Sequence, residues 1–152
     1  MNVLVMGAGA IGSVFGGLLA KAGHRVYLVG RPAHMAAIKE RGLDITGLWG
    51  EYHVVGLETR VSAVEIEHQR FDLVLITTKA YDTASATAQS MPLIGPATLV
   101  ASLQNGLGNV EAIEGLVGKE RTLGCRVIFG ARLAEPGKVE VTVQGGSVLV
   151  GD

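Results

Sequence analysis

Residues 3–12 read Val3-Leu4-Val5-Met6-Gly7-Ala8-Gly9-Ala10-Ile11-Gly12, an apolar run followed at once by a Gly-x-Gly-x-x-Gly turn. An apolar-periodic segment from residue 11 to about 22 comes next, so the pattern predicts a strand, a tight turn and a helix. This order creates a site for a dinucleotide, because the unpaired N–H groups at the start of the helix face its pyrophosphate.

Each glycine of the turn has its own expected purpose. Gly7 permits a bend that a side chain would obstruct, Gly9 lets the backbone approach a pyrophosphate, and Gly12 lets the helix pack closely on the strand. The predicted cofactor-binding residues of the turn are Gly7, Ala8, Gly9, Ala10, Ile11 and Gly12. The alternative is a glycine turn whose purpose is structural alone.

Arg31 is the second informative residue, because it follows the next predicted strand, residues 25–29. Sites specific for NAD tend to carry Asp or Glu about 20 residues beyond the last glycine, where the carboxylate bonds the ribose. A carboxylate would repel a 2′-phosphate, whereas a guanidinium pairs with it through two donors. The sequence therefore favours NADP(H) over NAD(H). The alternative is that Arg31 is a solvated residue before Pro32.

Composition excludes several classes of function. The 152 residues are 48% hydrophobic and 18% charged, which suits one domain with a large apolar core. The net charge is −1 and no basic run occurs, so no nucleic-acid partner is expected. No basic region precedes the first strand as in a signal peptide, and no apolar stretch has the length of a membrane span. We therefore expect a cytoplasmic protein without a membrane partner.

The rest of the chain alternates predicted strands and helices. Strands are predicted at 25–29, 71–77 and 98–103, and helices at 32–41, 80–90 and 109–117. Further strands are predicted as a hairpin of 43–46 and 52–55 with Trp49 partly exposed at its tip, then at 60–63, 122–131, 139–143 and 147–150, with a turn at Pro136-Gly137. Repeated β–α units that end in extra strands predict an α/β, Rossmann-like fold with a doubly wound, mostly parallel sheet.

Polar residues just beyond the predicted strands are the candidates for ligand contacts, since ligands bind at the carboxyl ends of parallel strands. Lys79 follows the strand at 71–77, and Asn105 follows the strand at 98–103. Lys79 suits a phosphate or a substrate carboxylate, but a solvated loop cation explains it equally well. Asn105-Gly106 is also a common turn pair.

The remaining reactive side chains form no recognisable catalytic or metal-binding motif. The four histidines, His24, His34, His53 and His68, lack the spacing of metal ligands, and each is predicted to lie at the surface. Cys125 is the single cysteine and lies in an apolar context, which predicts an unreactive core thiol. No metal site and no catalytic residue is predicted from these residues.

Several segments follow the glycine turn and Arg31 in an order that resembles one enzyme family. They are Thr78-Lys79-Ala80-Tyr81-Asp82, Gln104-Asn105-Gly106-Leu107-Gly108-Asn109, Gly130-Ala131-Arg132 and Pro136-Gly137-Lys138-Val139. In this order the chain is similar to the N-terminal half of ketopantoate reductases, which are NADPH-dependent 2-dehydropantoate 2-reductases. The resemblance implies an NADP(H)-binding domain over residues 1–152, with the family's helical C-terminal catalytic domain outside the chain.

The resemblance also implies roles for individual residues. The glycine turn would hold the pyrophosphate and Arg31 the 2′-phosphate. Lys79 would lie beside the cofactor, Asn105 near the nicotinamide and substrate, and Ala131 at the nicotinamide end. The implied reaction is hydride transfer from NADPH to the ketone of 2-dehydropantoate, which gives pantoate for coenzyme A. In it the cofactor supplies the hydride, and the protein orients it and polarises the ketone.

Two departures from the family pattern limit what carries over. Val127-Ile128-Phe129 stands where many relatives have Thr and His, and Glu140-Val141 follows where a histidine is common. The family's general acid, a lysine, and its substrate-binding glutamate belong to the C-terminal domain. We therefore expect this chain alone to bind NADPH and to reduce 2-dehydropantoate very slowly or not at all.

Three questions stay open at this point. The chain is either a truncated piece or a naturally short protein. It is either part of a reductase or a non-catalytic module that binds NADP(H) or docks on a partner. If it is part of a reductase, the substrate is 2-dehydropantoate or another 2-keto acid. An exposed apolar face, left where a second domain would pack, makes docking or self-association plausible.

Overall fold

The computed structural model describes residues 1–67 and 70–151, so the prediction for His68 lies outside the described residues. The strands are β1 (Asn2–Met6), β2 (Arg25–Val29), β3 (Leu43–Gly47), β4 (Tyr52–Val54), β5 (Glu58–Arg60), β6 (Phe71–Ile76), β7 (Ile94–Ser102), β8 (Thr122–Arg126), β9 (Phe129–Glu135), β10 (Lys138–Gln144) and β11 (Leu149–Gly151). The helices are α1 (Ala10–Lys21), α2 (Pro32–Arg41), α3 (Thr83–Ser90) and α4 (Asn109–Val117).

A seven-stranded sheet with the order β11-β8-β7-β6-β1-β2-β5 forms the centre of the molecule. Neighbouring strands pair in parallel throughout, except that β11 runs antiparallel to β8. The chain builds outward from β1 through β2 to β5, then returns to the other side of β1 to lay down β6, β7 and β8. The strand order therefore reverses between β1 and β6, and the expected doubly wound, mostly parallel sheet is confirmed.

Apolar side chains cover both faces of this sheet, which is why β1 reads as an unbroken apolar run. Val3 and Val5 face a core shared with α1 and α2, whereas Leu4 and Met6 face a core shared with α3 and α4. All four side chains are at most 3% exposed. None of the helices within residues 1–67 and 70–151 is long and apolar enough to cross a membrane.

A second sheet, of order β4-β3-β10-β9, packs on the outside of α1. The predicted hairpin of β3 and β4 is confirmed, and β10 joins it by parallel pairing with β3. Gly17 allows the close packing, since a Cβ there would lie 2.8 Å from both Ile45 and Leu43. Trp49 is partly exposed, as expected, and its ring centroid lies 4.7 Å from that of Phe129.

Three predicted elements differ in the structure. The short strand expected at 60–63 ends at Arg60, because the Ser62 hydroxyl accepts the Val64 N–H at 3.4 Å and begins a 3₁₀ turn. The helix expected at 80–90 opens as a 3₁₀ turn, and its α-helical part starts at Thr83.

The third difference is that the prediction of a single strand at 122–131 was wrong. Its residues form β8 in the central sheet and β9 in the second sheet. Val127 lies buried at the crossing, and the Ile128 carbonyl accepts the Gly145 N–H at 2.7 Å. The apolar run gives no turn signal there because the linking residues are themselves part of the core.

Candidate cofactor-binding site

A cleft of about 450 Å³ opens where the strand order reverses, at the carboxyl ends of β1 and β6. Ligands of doubly wound sheets bind at this position. The cleft is lined by Gly7, Ala8, Gly9, Ala10 and Ile11 of the turn, by Gly30, Arg31 and His34, by Thr77, Thr78, Lys79, Tyr81 and Asp82, and by Leu133. The predicted turn, Arg31 and Lys79 are thus brought together.

The three glycines of the turn differ in what surrounds them. A Cβ on Gly7, where φ is +90°, would lie 2.5 Å from Thr78 Cγ2. A Cβ on Gly12 would lie 2.6 Å from Thr77 Oγ1 and 3.0 Å from Val5 Cγ1. A Cβ on Gly9 would meet nothing within 4 Å, although Gly9 lines the cleft. Packing within the protein therefore requires Gly7 and Gly12, whereas Gly9 leaves the open space that a ligand needs.

The start of α1 is suited to an anion. The Ser13 N–H makes the first helical bond, to Gly9 O at 3.0 Å, so the amides of residues 10–12 precede the bonded part of the helix. No side chain caps this end and its first turn holds no acidic residue. Unbonded amides and the positive end of the helix dipole both favour negative charge. These residues fit the pyrophosphate of a dinucleotide.

The turn is held rigidly by its neighbours. The N–H groups of Gly7 and Ala8 both donate to Val29 O, at 3.0 and 2.8 Å. On the other side the Thr77 hydroxyl lies 2.8 Å from Gly7 O and donates to it. The turn is therefore fixed between the ends of β2 and β6, which preorganises it for a ligand.

Arg31 is the N-cap residue of α2, and its exposed side chain borders the cleft. Pro32 occupies the first position of the helix, and Arg31 O accepts the Met35 N–H at 3.0 Å. The charged pairs found within the described residues are Arg60–Glu58 and Arg132–Glu140, and His53 Nδ1 lies 2.7 Å from Asp44 Oδ1. The Arg31 guanidinium is in none of them, so the fork of N–H donors faces solvent at the cleft.

Asn105 lies one strand further along the same edge, in the loop after β7, and does not line the cleft. The side chain of Gln104 connects this loop to the loop of Lys79. Its Nε2 donates to Thr78 O at 2.8 Å and to Thr83 Oγ1 at 2.7 Å. Asn105 O in turn accepts Asn109 Nδ2 at 3.1 Å. The loops that carry Lys79 and Asn105 are thereby held side by side.

Ala131 lies in β9, opposite Val141 of β10, and is partly buried against the core under α1. It does not line the cleft, but Leu133, two residues along the same strand face, does. The second sheet therefore reaches the cleft through Leu133, a residue that sequence reasoning did not select.

The surface prediction for His34 was wrong. Its side chain is 4% exposed, with Nε2 2.8 Å from Ser13 Oγ and Nδ1 accepting the Gly137 N–H at 2.9 Å. A backbone N–H can only donate, so Nδ1 carries no proton and Nε2–H donates to Ser13. Burial lowers the pKa of His34, which favours the same neutral ring.

A signal for this burial was present in the sequence. Residue 34 precedes Ile38 by four positions, and both lie on the buried face of α2 with Met35. By contrast, His53 is exposed as expected, and His24 is partly exposed.

Other reactive groups add nothing to the cleft. Cys125 is partly buried on β8, and burial raises the pKa of its thiol, which keeps it protonated and unreactive. Within residues 1–67 and 70–151, no group of three or more His, Cys, Asp or Glu side chains is placed to hold a metal ion.

The sheet order, the glycine turn and the cleft define a Rossmann-like domain with the architecture of nucleotide-binding proteins. The model of the ketopantoate reductase PanE/ApbA family matches residues 3–152, and the chain belongs to this family.

Similar proteins agree with this membership. The 2-dehydropantoate 2-reductase of Pyrococcus horikoshii is 43% identical over 140 residues, which cover 92% of this chain and 44% of that protein. The enzyme of that name from Aquifex aeolicus is 34% identical over 100% of this chain and 47% of its own length. The chain thus spans about half the length of the curated relatives it matches.

Solved structures show the same fold. A 2-dehydropantoate 2-reductase from Geobacter metallireducens has a TM-score of 0.90 at 30% identity, over 100% of this chain and 49% of that one. A D-mandelate dehydrogenase in complex with NADH and anilino(oxo)acetate has a TM-score of 0.84 at 33% identity, over 99% of this chain and 47% of that one.

Proposed function

We propose that the chain is the NADP(H)-binding part of an oxidoreductase that transfers hydride from NADPH to the ketone of 2-dehydropantoate, giving pantoate. One observation carries the proposal: the amides at the start of α1 and the guanidinium of Arg31 border the same cleft. A pyrophosphate suits the first group and a 2′-phosphate suits the second.

Each residue of the site has a place in this proposal. The turn of Gly7, Ala8, Gly9, Ala10, Ile11 and Gly12 binds the pyrophosphate, and Arg31 pairs with the 2′-phosphate. Lys79 and Asn105 serve the nicotinamide and substrate side, with Ala131 at the nicotinamide end. Support comes from Gln104, which holds the Lys79 and Asn105 loops together. The bound cofactor supplies the hydride, and these residues bind and orient it.

The chain alone is proposed to bind cofactor without efficient turnover. It spans about half the length of its curated relatives, and no general acid is identified in it. Loss of an oriented general acid lowers rates by about 10²–10⁴-fold, and loss of substrate positioning lowers them further. Turnover of 2-dehydropantoate near that of a two-domain relative would contradict this part of the proposal.

Calorimetric titration of the purified chain with NADPH and with NADH tests the core of the proposal. Tight binding of NADPH and weak binding of NADH is the expected result, because only NADPH carries the phosphate that Arg31 would pair with. Binding of neither cofactor, or equal binding of both, contradicts it.

A reductase for another 2-keto acid is the second candidate, favoured by the likeness to D-mandelate dehydrogenase. That structure holds NADH, so tighter binding of NADH than of NADPH by this chain would favour this candidate.

A non-catalytic NADP(H)-binding or partner-docking module is a candidate of a different class, here with a second copy of the chain as the partner. The observation in its favour is an apolar groove of about 300 Å³ beside α1, lined by Val14, Phe15, Leu18, Leu19, Trp49, Phe129 and Val148. Val14 and Phe129 are buried and the other lining residues are partly exposed, and apolar side chains that stay accessible to solvent can recruit a partner. Sedimentation velocity tests self-association through this groove. A dimer at micromolar concentration that becomes a monomer in Leu18→Glu supports it. A wild type that is monomeric contradicts it.

A further inference from the structure

His34 joins the two helix starts that border the cleft, and we propose that it is a positioning residue that sets the preference for a 2′-phosphorylated cofactor. The proposal rests on the proposed binding of NADPH. Ser13 lies in the opening turns of α1, where the free amides are. His34 lies in the first turn of α2, three residues after the N-cap Arg31.

The imidazole ring connects three elements at once. Nε2–H donates to Ser13 Oγ on α1 at 2.8 Å, and Nδ1 accepts the N–H of Gly137, in the turn between β9 and β10, at 2.9 Å. Ser13 is 0% exposed and His34 is 4% exposed. Both bonds lie in the interior of the protein, and removal of the ring deprives the Ser13 hydroxyl and the buried Gly137 N–H of their partner.

The distance between α1 and α2 matters more for NADPH than for NADH. The pyrophosphate and the 2′-phosphate belong to the same NADPH molecule, so its covalent structure limits the distance between them. The start of α1 and Arg31 must match that separation for NADPH to reach both. NADH has only the first of these groups. A change in helix spacing therefore weakens the Arg31 contact and leaves the pyrophosphate contact largely in place.

Other bonds hold the surrounding elements without His34, so its replacement is expected to leave the fold intact. Arg41 Nη2 donates to Pro136 O at 3.2 Å, and the Asp44 N–H donates to Gly137 O at 2.9 Å. Gly30 is tied to β5 through Arg60 O at 3.1 Å. The effect of His34 on cofactor preference is thus separable from folding.

Two variants with amide side chains are each designed to keep one of the two hydrogen bonds made by the imidazole ring. In His34→Gln the amide nitrogen reaches the position of Nε2 and can donate to Ser13. In His34→Asn the shorter side chain places its oxygen near Nδ1 and can accept from Gly137. Neither side chain titrates. His34→Ala removes both bonds, and the exposed His53→Ala is the matched control.

The experiment is calorimetric titration of the wild type and these four variants with NADPH and NADH at pH 7.5, with circular dichroism to verify folding. We expect His34→Ala and His34→Asn to lower the NADPH-to-NADH affinity ratio by about tenfold, as the loss of a buried hydrogen bond does. His34→Gln and His53→Ala are expected to keep the ratio within about twofold of the wild type.

The other outcomes overturn the proposal in distinguishable ways. A wild type that prefers NADPH, with a ratio unchanged in His34→Ala or His34→Asn, excludes the positioning role and leaves the proposed function standing. If His34→Ala loses NADPH and NADH affinity by equal factors, His34 supports the structure of the site but does not set the cofactor preference. A wild type without a preference for NADPH contradicts both the proposed function and the role of His34.

Discussion

Gln104 Nε2 lies 2.8 Å from the carbonyl oxygen of Thr78 and donates to it, across the gap between the loops that follow β7 and β6. The same nitrogen lies 2.7 Å from Thr83 Oγ1, which in turn donates to Asn109 Oδ1 at 3.0 Å. Thr83 and Asn109 are both buried, so this network replaces water at the edge of the sheet.

Gln104→Leu is expected to lower the free energy of unfolding by about 1–3 kcal/mol, because the polar groups it bonds lose their donor. Urea denaturation measures the change. The control is Gln89→Leu on the exposed face of α3, where we expect a change within about 0.5 kcal/mol. Equal effects of the two variants would show that the network contributes nothing to stability.

Gly9→Ala and Gly12→Ala separate the binding and packing purposes of the turn. The methyl group on Gly9 would point into open space, so that variant is expected to keep its stability within about 1 kcal/mol and to lose NADPH affinity. The methyl group on Gly12 would lie 2.6 Å from Thr77 Oγ1, and we expect a loss of about 1–3 kcal/mol of stability. Thermal unfolding and NADPH titration of both proteins check this, and a stable Gly9→Ala that binds normally would contradict it.

Arg31→Asp is expected to weaken NADPH binding by about 10–100-fold, the usual contribution of a charge-assisted hydrogen bond, with a far smaller change for NADH. Lys39→Asp, on the exposed surface of the same helix, makes the same change in net charge and controls for long-range electrostatics. Titration with both cofactors is the measurement. If the two affinities fall by equal factors, the assignment of the 2′-phosphate to Arg31 is wrong.

The pKa of His34 is lowered by burial, so protons bind more tightly to this residue in the unfolded chain than in the folded one. Its contribution to stability is therefore fully present above about pH 6.5, the ordinary pKa of histidine, and declines as the pH falls from there through the lowered pKa.

His34→Gln removes the titrating group and is expected to flatten this part of the stability profile. Urea denaturation of both proteins between pH 5 and 8 measures it. If His34→Gln shows the same pH dependence of stability as the wild type, the loss of stability in acid comes from groups other than His34.

The parallel strands at the centre of the sheet could be predicted from the sequence because β1, β2, β6 and β7 each carry a local signal. Val3 to Met6 is apolar on both faces, Gly7 follows at once, and Pro32 and Gly42 mark the two ends of α2. These are short-range patterns, and they locate the first strand, the turn and Arg31 correctly. The position of the cleft then follows from the strand order alone.

Beyond the β3–β4 hairpin, the assembly of the second sheet could not be predicted, because it depends on pairing between distant residues. Val139 pairs with Ile45, and no local pattern indicates that partner. The same reason hid the environment of His34, whose second bond comes from Gly137, 103 positions away. Sequence periodicity identifies the buried face of a helix but not what will cover it.

The parallel pairing of β3 with β10 also affects how the protein is made. Asp44 leaves the ribosome about 90 residues before its partner Lys138, roughly 5–20 s earlier at ordinary rates of synthesis. Throughout that interval the edge of β3 that later pairs with β10 has no neighbour, and such edges invite pairing with other chains. Once β10 emerges it pairs with β3 and closes that edge, so the nascent hairpin is more vulnerable to aggregation before residue 138 appears than after it.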